Sequence, residues 1–145
     1  AALTVIDAGG TVALIEKEGL LGGNSGWAAS GVNAAGDSSE GKIPGIPGDS
    51  TAAFANDTLR SGKGDPLLVE ALVQGSLPAV EWMENRLNIT LDLTSQLGGH
   101  SFPRTKRATG AMIGQTLVLR MSAILKKLAK EHPDRVKILL KSTAE

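Results

Sequence analysis

The chain has 145 residues, 41% of them apolar, with 15 basic and 15 acidic side chains and no cysteine. That length fits one domain with a core of its own. Zero net charge gives no bulk electrostatic case for nucleic acid or a membrane, no apolar run is long enough to span a bilayer, and the lack of cysteine excludes disulfides, thiolate metal sites and a cysteine nucleophile.

Ala1 to Ala8 is apolar with few breakers and reads as the end of a helix, stopped by Gly9-Gly10. Thr11 to Ile15 reads as a strand buried on both faces, because its apolar residues run on rather than alternate. This is the second half of a βαβ unit, with the first strand missing. Residues 19–48 are rich in Gly, Ser, Asn and Pro, longer than an ordinary connection. The first half, with Trp27, Ala28, Ala29, Val32, Ala34 and Ala35, reads as an ordered, packed loop; Asp37 to Gly48 reads as mobile.

Three helices are expected next. Asp49 or Ser50 caps one that runs to about Leu59 and is ended by Gly62. Asp65-Pro66 opens a second, to about Gln74, since proline suits the first helical position. Ser76 opens a third, with Ala79, Val80, Trp82, Met83 and Leu87 apolar and Trp82 read as core. Residues 95–111 read as a second loop, rich in glycine and cations. A long helix spans about Ala111 to Glu131, with Ile113, Leu117, Met121, Ile124 and Leu128 on one face and Lys126, Lys127 and Lys130 away from it. Pro133 stops it, and Val136 to Leu140 forms a last strand. From His100 onward ten Lys and Arg stand against Glu131, Asp134 and Glu145, a bias read as a solvated face. Helix and strand alternate at both ends, which predicts an α/β fold with a parallel sheet and an inserted helical segment.

The chemistry centres on Glu16 and the glycines after it. A carboxylate at a strand tip is either a solvent-facing group or an acceptor for ribose hydroxyls. Gly22-Gly23-Asn24-Ser25 is either a plain turn or a place where main chain lies close to a ligand. The small apolar residues that follow favour the ligand reading, with free N–H groups serving phosphate or ring acceptors. Asn88-Ile89-Thr90 matches a glycosylation sequon and is read as chance.

These residues carry a resemblance. Glu16-Lys17-Glu18, Gly22-Gly23-Asn24-Ser25 and Ala29-Ser30-Gly31-Val32-Asn33-Ala34-Ala35 resemble the fumarate reductase and succinate dehydrogenase flavoprotein superfamily. The likeness continues through Asp49-Ser50, Asp57-Thr58, Ala79-Val80-Glu81-Trp82, Gln96-Leu97-Gly98-Gly99-His100-Ser101, Pro103-Arg104-Thr105-Lys106-Arg107 and Thr109-Gly110. It is most similar to the soluble, eukaryotic fumarate reductases. The resemblance implies a partial Rossmann-like FAD-binding domain over 1–145, an N-terminal piece without its G-x-G-x-x-G turn, its substrate clamp and its C-terminal FAD segment. It implies that Glu16 binds the adenosine ribose of FAD. Lys17, Gly22 and Gly23 belong to the same cofactor-binding stretch. Asn24 and Ser25 contact the FAD, Ser30 and Gly31 pass the isoalloxazine, and Gly31 also faces the substrate. Membrane-bound relatives carry a histidine near Asn24 that links to the flavin; none stands here, so FAD is expected to be noncovalent. The implied reaction is hydride transfer from flavin to fumarate, giving succinate. An unspecified donor supplies the electrons, and the arginine and carboxylate clamp lie outside this chain. The family pair at Lys106-Arg107 is His-Arg, and Arg104 and Arg107 read as structural or ligand-loop residues. His100, between glycines, reads as part of a turn. Other FAD enzymes of the superfamily (aspartate oxidase or ketosteroid dehydrogenase type) and a noncatalytic fragment are the alternative readings.

Overall fold

A computed structural model describes residues 1–36, 45–62 and 64–144. In chain order the elements are α1 (Ala2–Asp7), β1 (Val12–Glu16), a 3-10 turn (Gly23–Trp27), β2 (Val32–Asn33), α2 (Thr51–Ser61), α3 (Pro66–Leu87), β3 (Leu93–Ser95), β4 (Thr105–Arg107), α4 (Ile113–Glu131) and β5 (Val136–Leu140). They divide into two compact units, Ala1–Ala28 with Gly114–Glu145, and Ala29–Ile113. The mobility expected for Asp37–Gly48 falls mostly on 37–44, which lie outside the described residues; Asp49 N closes a turn onto Ile46 O at 2.9 Å.

In the first unit α1 buries Leu3 and Ile6 and ends where expected. Gly10 N returns to Val5 O at 2.8 Å, and Gly9 takes a left-handed φ of +86°. A Cβ on Gly10 would lie 2.6 Å from Val5 Cγ1, so only glycine permits this tight stop. Arg135 donates to Ile6 O (3.1 Å) and Gly10 O (3.0 Å), serving the carbonyls that the helix end leaves unpaired. β1 and β5 pair in parallel, with Val12 opposite Val136 and Glu16 opposite Leu140. The expectation that β1 is buried on both faces is corrected. Val12, Leu14 and Glu16 are half-buried while Ala13 and Ile15 are exposed, Ile15 at 47%. The sheet has two strands among the described residues, so alternate side chains of a pleated strand reach water. On the face of α4 read from its periodicity Ile113 is buried and Leu117, Met121, Ile124 and Leu128 are half-buried; Leu125, outside that reading, is buried, and Lys126, Lys127 and Lys130 are exposed.

The second unit is built on a three-stranded antiparallel sheet in the order β2-β4-β3. β4 arises from a stretch read as loop, and β3 begins in residues to which the sequence assigned no element. The cations in and just before β4 are not a solvated face: Arg104 is fully buried and Lys106 is 1% exposed, its Nζ donating to Thr94 Oγ1 at 3.3 Å. α2 is capped by Ser50, whose Oγ accepts from Ala53 N at 3.1 Å, and stops before Gly62. α3 is capped by Asp65, whose carboxylate accepts from Leu67 N at 2.8 Å. The two helices expected over 66–87 are one, running through Pro78. Val69, Val73, Ser76, Val80 and Leu87 form one buried stripe across both halves. That shared packing outweighs the main-chain bond a proline removes. Asn88 ends the helix in the left-handed conformation, at φ 50° and ψ 57°. Trp82 is half-buried rather than central. Ala35, Phe54, Val69 and Val73 form a core cluster.

Candidate functional site

Six of the eight candidate residues fall in the first unit, gathered after the carboxyl end of β1. Ligands of open α/β sheets bind beyond that end of the strands. Glu16 occupies the strand tip, and its Oε1 accepts from Glu18 N at 2.8 Å. The main chain there is tied down twice more, by Ser142 N to Glu16 O (3.0 Å) and Lys141 N to Glu18 O (3.1 Å). Three bonds thus fix the carboxylate and the turn behind it. Lys17 beside it is exposed.

Gly22 and Gly23 have φ values of +128° and +48°. A Cβ on Gly22 would meet Val118 Cγ1 of α4 at 2.5 Å, so glycine is needed there for both conformation and space. Asn24 and Ser25 follow in the 3-10 turn, both exposed. The turn lies against the start of α4, where Gly114 N donates to Ala28 O at 2.8 Å. A Cβ on Gly114 would collide with Ser25 O and come within 2.7 Å of Ala28 O. Glu16, Gly22 and Gly23 line a cavity of about 310 Å³ whose far wall is Val118, Met121 and Leu125. The helical periodicity marks Met121 as facing inward; what it cannot mark is that Val118 and Gly114 serve the turn after β1.

Ser30 and Gly31 belong to the second unit. Ser30 is exposed. Gly31, at φ +152°, presses on β4, and a Cβ would lie 2.5 Å from Lys106 O. The next residues hold the strand pairing, with Ala34 N on Arg104 O at 3.0 Å and Thr105 Oγ1 donating to Asn33 Oδ1 at 2.6 Å.

Arg104 organises a buried cluster that the spacing of residues does not reveal. Its NH2 and Nε bind the two Asp49 oxygens at 2.6 and 3.2 Å, and NH1 binds Asp57 Oδ2 at 2.6 Å. Asp57 also accepts from Ser101 Oγ (2.6 Å) and Ser101 N (2.7 Å). The Ser101 hydroxyl and amide, together with Arg104, outweigh burial and hold the Asp57 carboxyl well below the usual carboxylate range. The guanidinium lies 4.8 Å from the Phe54 ring centre. Arg104 is therefore structural, one of the two roles its sequence left open, and joins the 97–104 segment to α2. The available signal was Asp49 and Asp57, two helical turns apart around Phe54.

A family model described as "FAD binding domain" matches residues 1–142. "Fumarate reductase 1" of Saccharomyces cerevisiae is 41% identical over 134 residues, which is 90% of this chain and 28% of that protein. "Fumarate reductase" of Schizosaccharomyces pombe is 38% identical over 138 residues, 93% of this chain and 26% of that one. Among solved structures, the open conformation of a flavocytochrome c3 fumarate reductase superposes with a TM-score of 0.78 at 29% identity, covering 97% of this chain and 24% of that one. The chain thus spans about a quarter of the length of these relatives.

Proposed function

The chain belongs to the FAD binding domain family, and from that membership we propose that residues 1–145 are part of the cofactor-binding domain of an oxidoreductase that reduces fumarate to succinate. The observation that carries the cofactor reading is Glu16, a carboxylate fixed at the carboxyl end of a parallel strand beside two left-handed glycines and a cavity. The donor set fits the adenosine end of FAD. A carboxylate accepts from ribose hydroxyls, and glycine main chain approaches a ligand closely. Bound FAD supplies the hydride chemistry.

This chain's residues hold and orient the cofactor. Glu16 accepts from the ribose with its second oxygen, and Lys17 borders that turn. Gly22, Gly23, Asn24 and Ser25 offer main-chain and side-chain donors along the cofactor. Ser30 and Gly31 lie along the isoalloxazine, with Gly31 also meeting the substrate. No residue here is assigned a catalytic role; the proton donor and the carboxylate clamp belong to the rest of the relatives' length. FAD is held without a covalent link. The chain's histidines are His100 and His132. His132 stands just past the far end of α4 from Gly114, ~27 Å along the helix at 1.5 Å per residue, and His100 belongs to the Arg104 cluster.

The test is purification of the protein that contains these residues. It is expected to be yellow, to release its flavin on denaturation, and to oxidise a reduced dye when fumarate is added. A protein that stays colourless after FAD addition overturns the cofactor reading. One that binds FAD but ignores fumarate overturns the substrate.

A further inference from the structure

His100 is the last residue of a turn closed by its own N–H on Leu97 O at 3.3 Å, with Gly99 at φ +84° as the left-handed member. Gln96 Nε2 donates to its carbonyl at 2.8 Å. The ring meets Phe54 edge-on, at 5.7 Å between centres. Main chain and ring are therefore both held. His100 Nδ1 lies 3.1 Å from Arg104 NH1, the nitrogen that also binds Asp57. A guanidinium has donors and no acceptor, so this bond requires a bare Nδ1 with its lone pair toward Arg104. The ring proton then sits on Nε2, on the edge turned away from Arg104.

His100 lines a cavity of about 380 Å³ within the second unit, together with Asn33, Phe54, Ser61, Leu72 and Gly99. The Asn33 Oδ1 is taken by Thr105, which leaves its NH2 as the group to offer. Thr58, also on the lining, turns its hydroxyl proton inward to Phe54 O at 2.9 Å. His100 and Asn33 thus present N–H donors between the apolar surfaces of Phe54 and Leu72, while Thr58 presents its hydroxyl oxygen as an acceptor. Next to them Asp49, Asp57 and Arg104 sum to one negative charge, which in a poorly solvated site disfavours a second anion.

We propose that Arg104 fixes His100 as the Nε2–H tautomer, and that this N–H and the Asn33 amide receive an uncharged carbonyl ligand in the cavity. The choice of a flavin ring as that carbonyl compound rests on the FAD reading above; the tautomer does not. The experiment is ring-nitrogen NMR of the histidine-labelled chain at pH 7, with His132, exposed beyond α4, as internal reference and its signal assigned by His132→Gln. Expected is a His100 ring protonated on Nε2 alone. A proton on Nδ1, or on both nitrogens, overturns the positioning role of Arg104. Riboflavin, whose ring is uncharged, is then expected to shift the His100 Nε2–H signal and leave His132 unmoved, and His100→Phe to weaken riboflavin at least fivefold. Succinate is expected to shift nothing. A shift with succinate instead, or with neither compound, overturns the ligand assignment. A protein that retains FAD while the His100 signal stays put refutes this inference and leaves the FAD reading standing.

Discussion

Gly114→Ala is the sharpest perturbation of the turn that follows β1. The added methyl would meet the carbonyl oxygens of Ser25 and Ala28, both main-chain atoms with no rotamer to give way. The turn must retreat from α4, and overpacking of this kind costs about 1–3 kcal/mol. The bond from Gly114 N to Ala28 O, 2.8 Å long, stretches or breaks, at about 0.5–1.5 kcal/mol. Alanine regains at most ~1 kcal/mol in helix propensity. The net loss is about 2–3 kcal/mol, or roughly 5–10 °C in midpoint for a chain of this size. Because the displaced carbonyls belong to the segment holding Asn24 and Ser25, FAD affinity is expected to fall with stability. Gly26→Ala is the control, since a Cβ there meets nothing within 4 Å. Thermal melts and FAD titration of both variants decide the matter. If Gly114→Ala melts and binds FAD like Gly26→Ala, the account of the turn as wedged against α4 is wrong.

Glu16→Ala is expected to weaken FAD by roughly 10- to 100-fold, the scale of a lost charge-assisted hydrogen bond, with little change in melting; equilibrium titration of the intact protein measures it. Arg104→Met strips two buried carboxylates of their partner and is expected to cost about 3–5 kcal/mol in urea unfolding. A loss under 1 kcal/mol would mean that the cluster does not hold the fold. Asp57 is depressed below its ordinary 3.8, so its stabilisation is complete above that value and fades as pH falls through the lower folded one. Acid unfolding followed by circular dichroism is therefore expected to steepen below about pH 4, and Asp57→Asn to flatten that dependence.

What could be read from residues alone was local. β1 ending on Glu16, the α4 face with its outward lysines, the Ser50 and Asp65 caps and the α/β order each depend on neighbours within a few turns. What escaped depends on partners distant in the chain. β4 has three residues and exists because it pairs with both β2 and β3. Arg104 looked like one more cation in a charged loop until Asp57 on α2 and Asp49 just before its cap were seen to hold it. The split of α3 between Gln74 and Ser76 missed the buried stripe of Val69, Val73, Ser76, Val80 and Leu87 that runs across it. At the candidate site Glu16 and the glycines were legible from their types and order. Val118 and Gly114, which give the turn its shape, were hidden because their role is defined by what sits across from them.

The bond from Gly114 N to Ala28 O has a consequence for how such a chain can change. It places the exit and the return of the excursion 29–113 side by side, so that stretch leaves and rejoins the β1–β5 layer as a cassette. Closing a loop costs only logarithmically in its length, about 0.6 kcal/mol for each doubling. Sequence can therefore be gained, lost or exchanged inside the cassette while the β1–β5 register and the carboxylate at its tip stay as they are. Variation among proteins with this layer should accumulate there, with Gly114 and its facing carbonyls as the seam that stays closed.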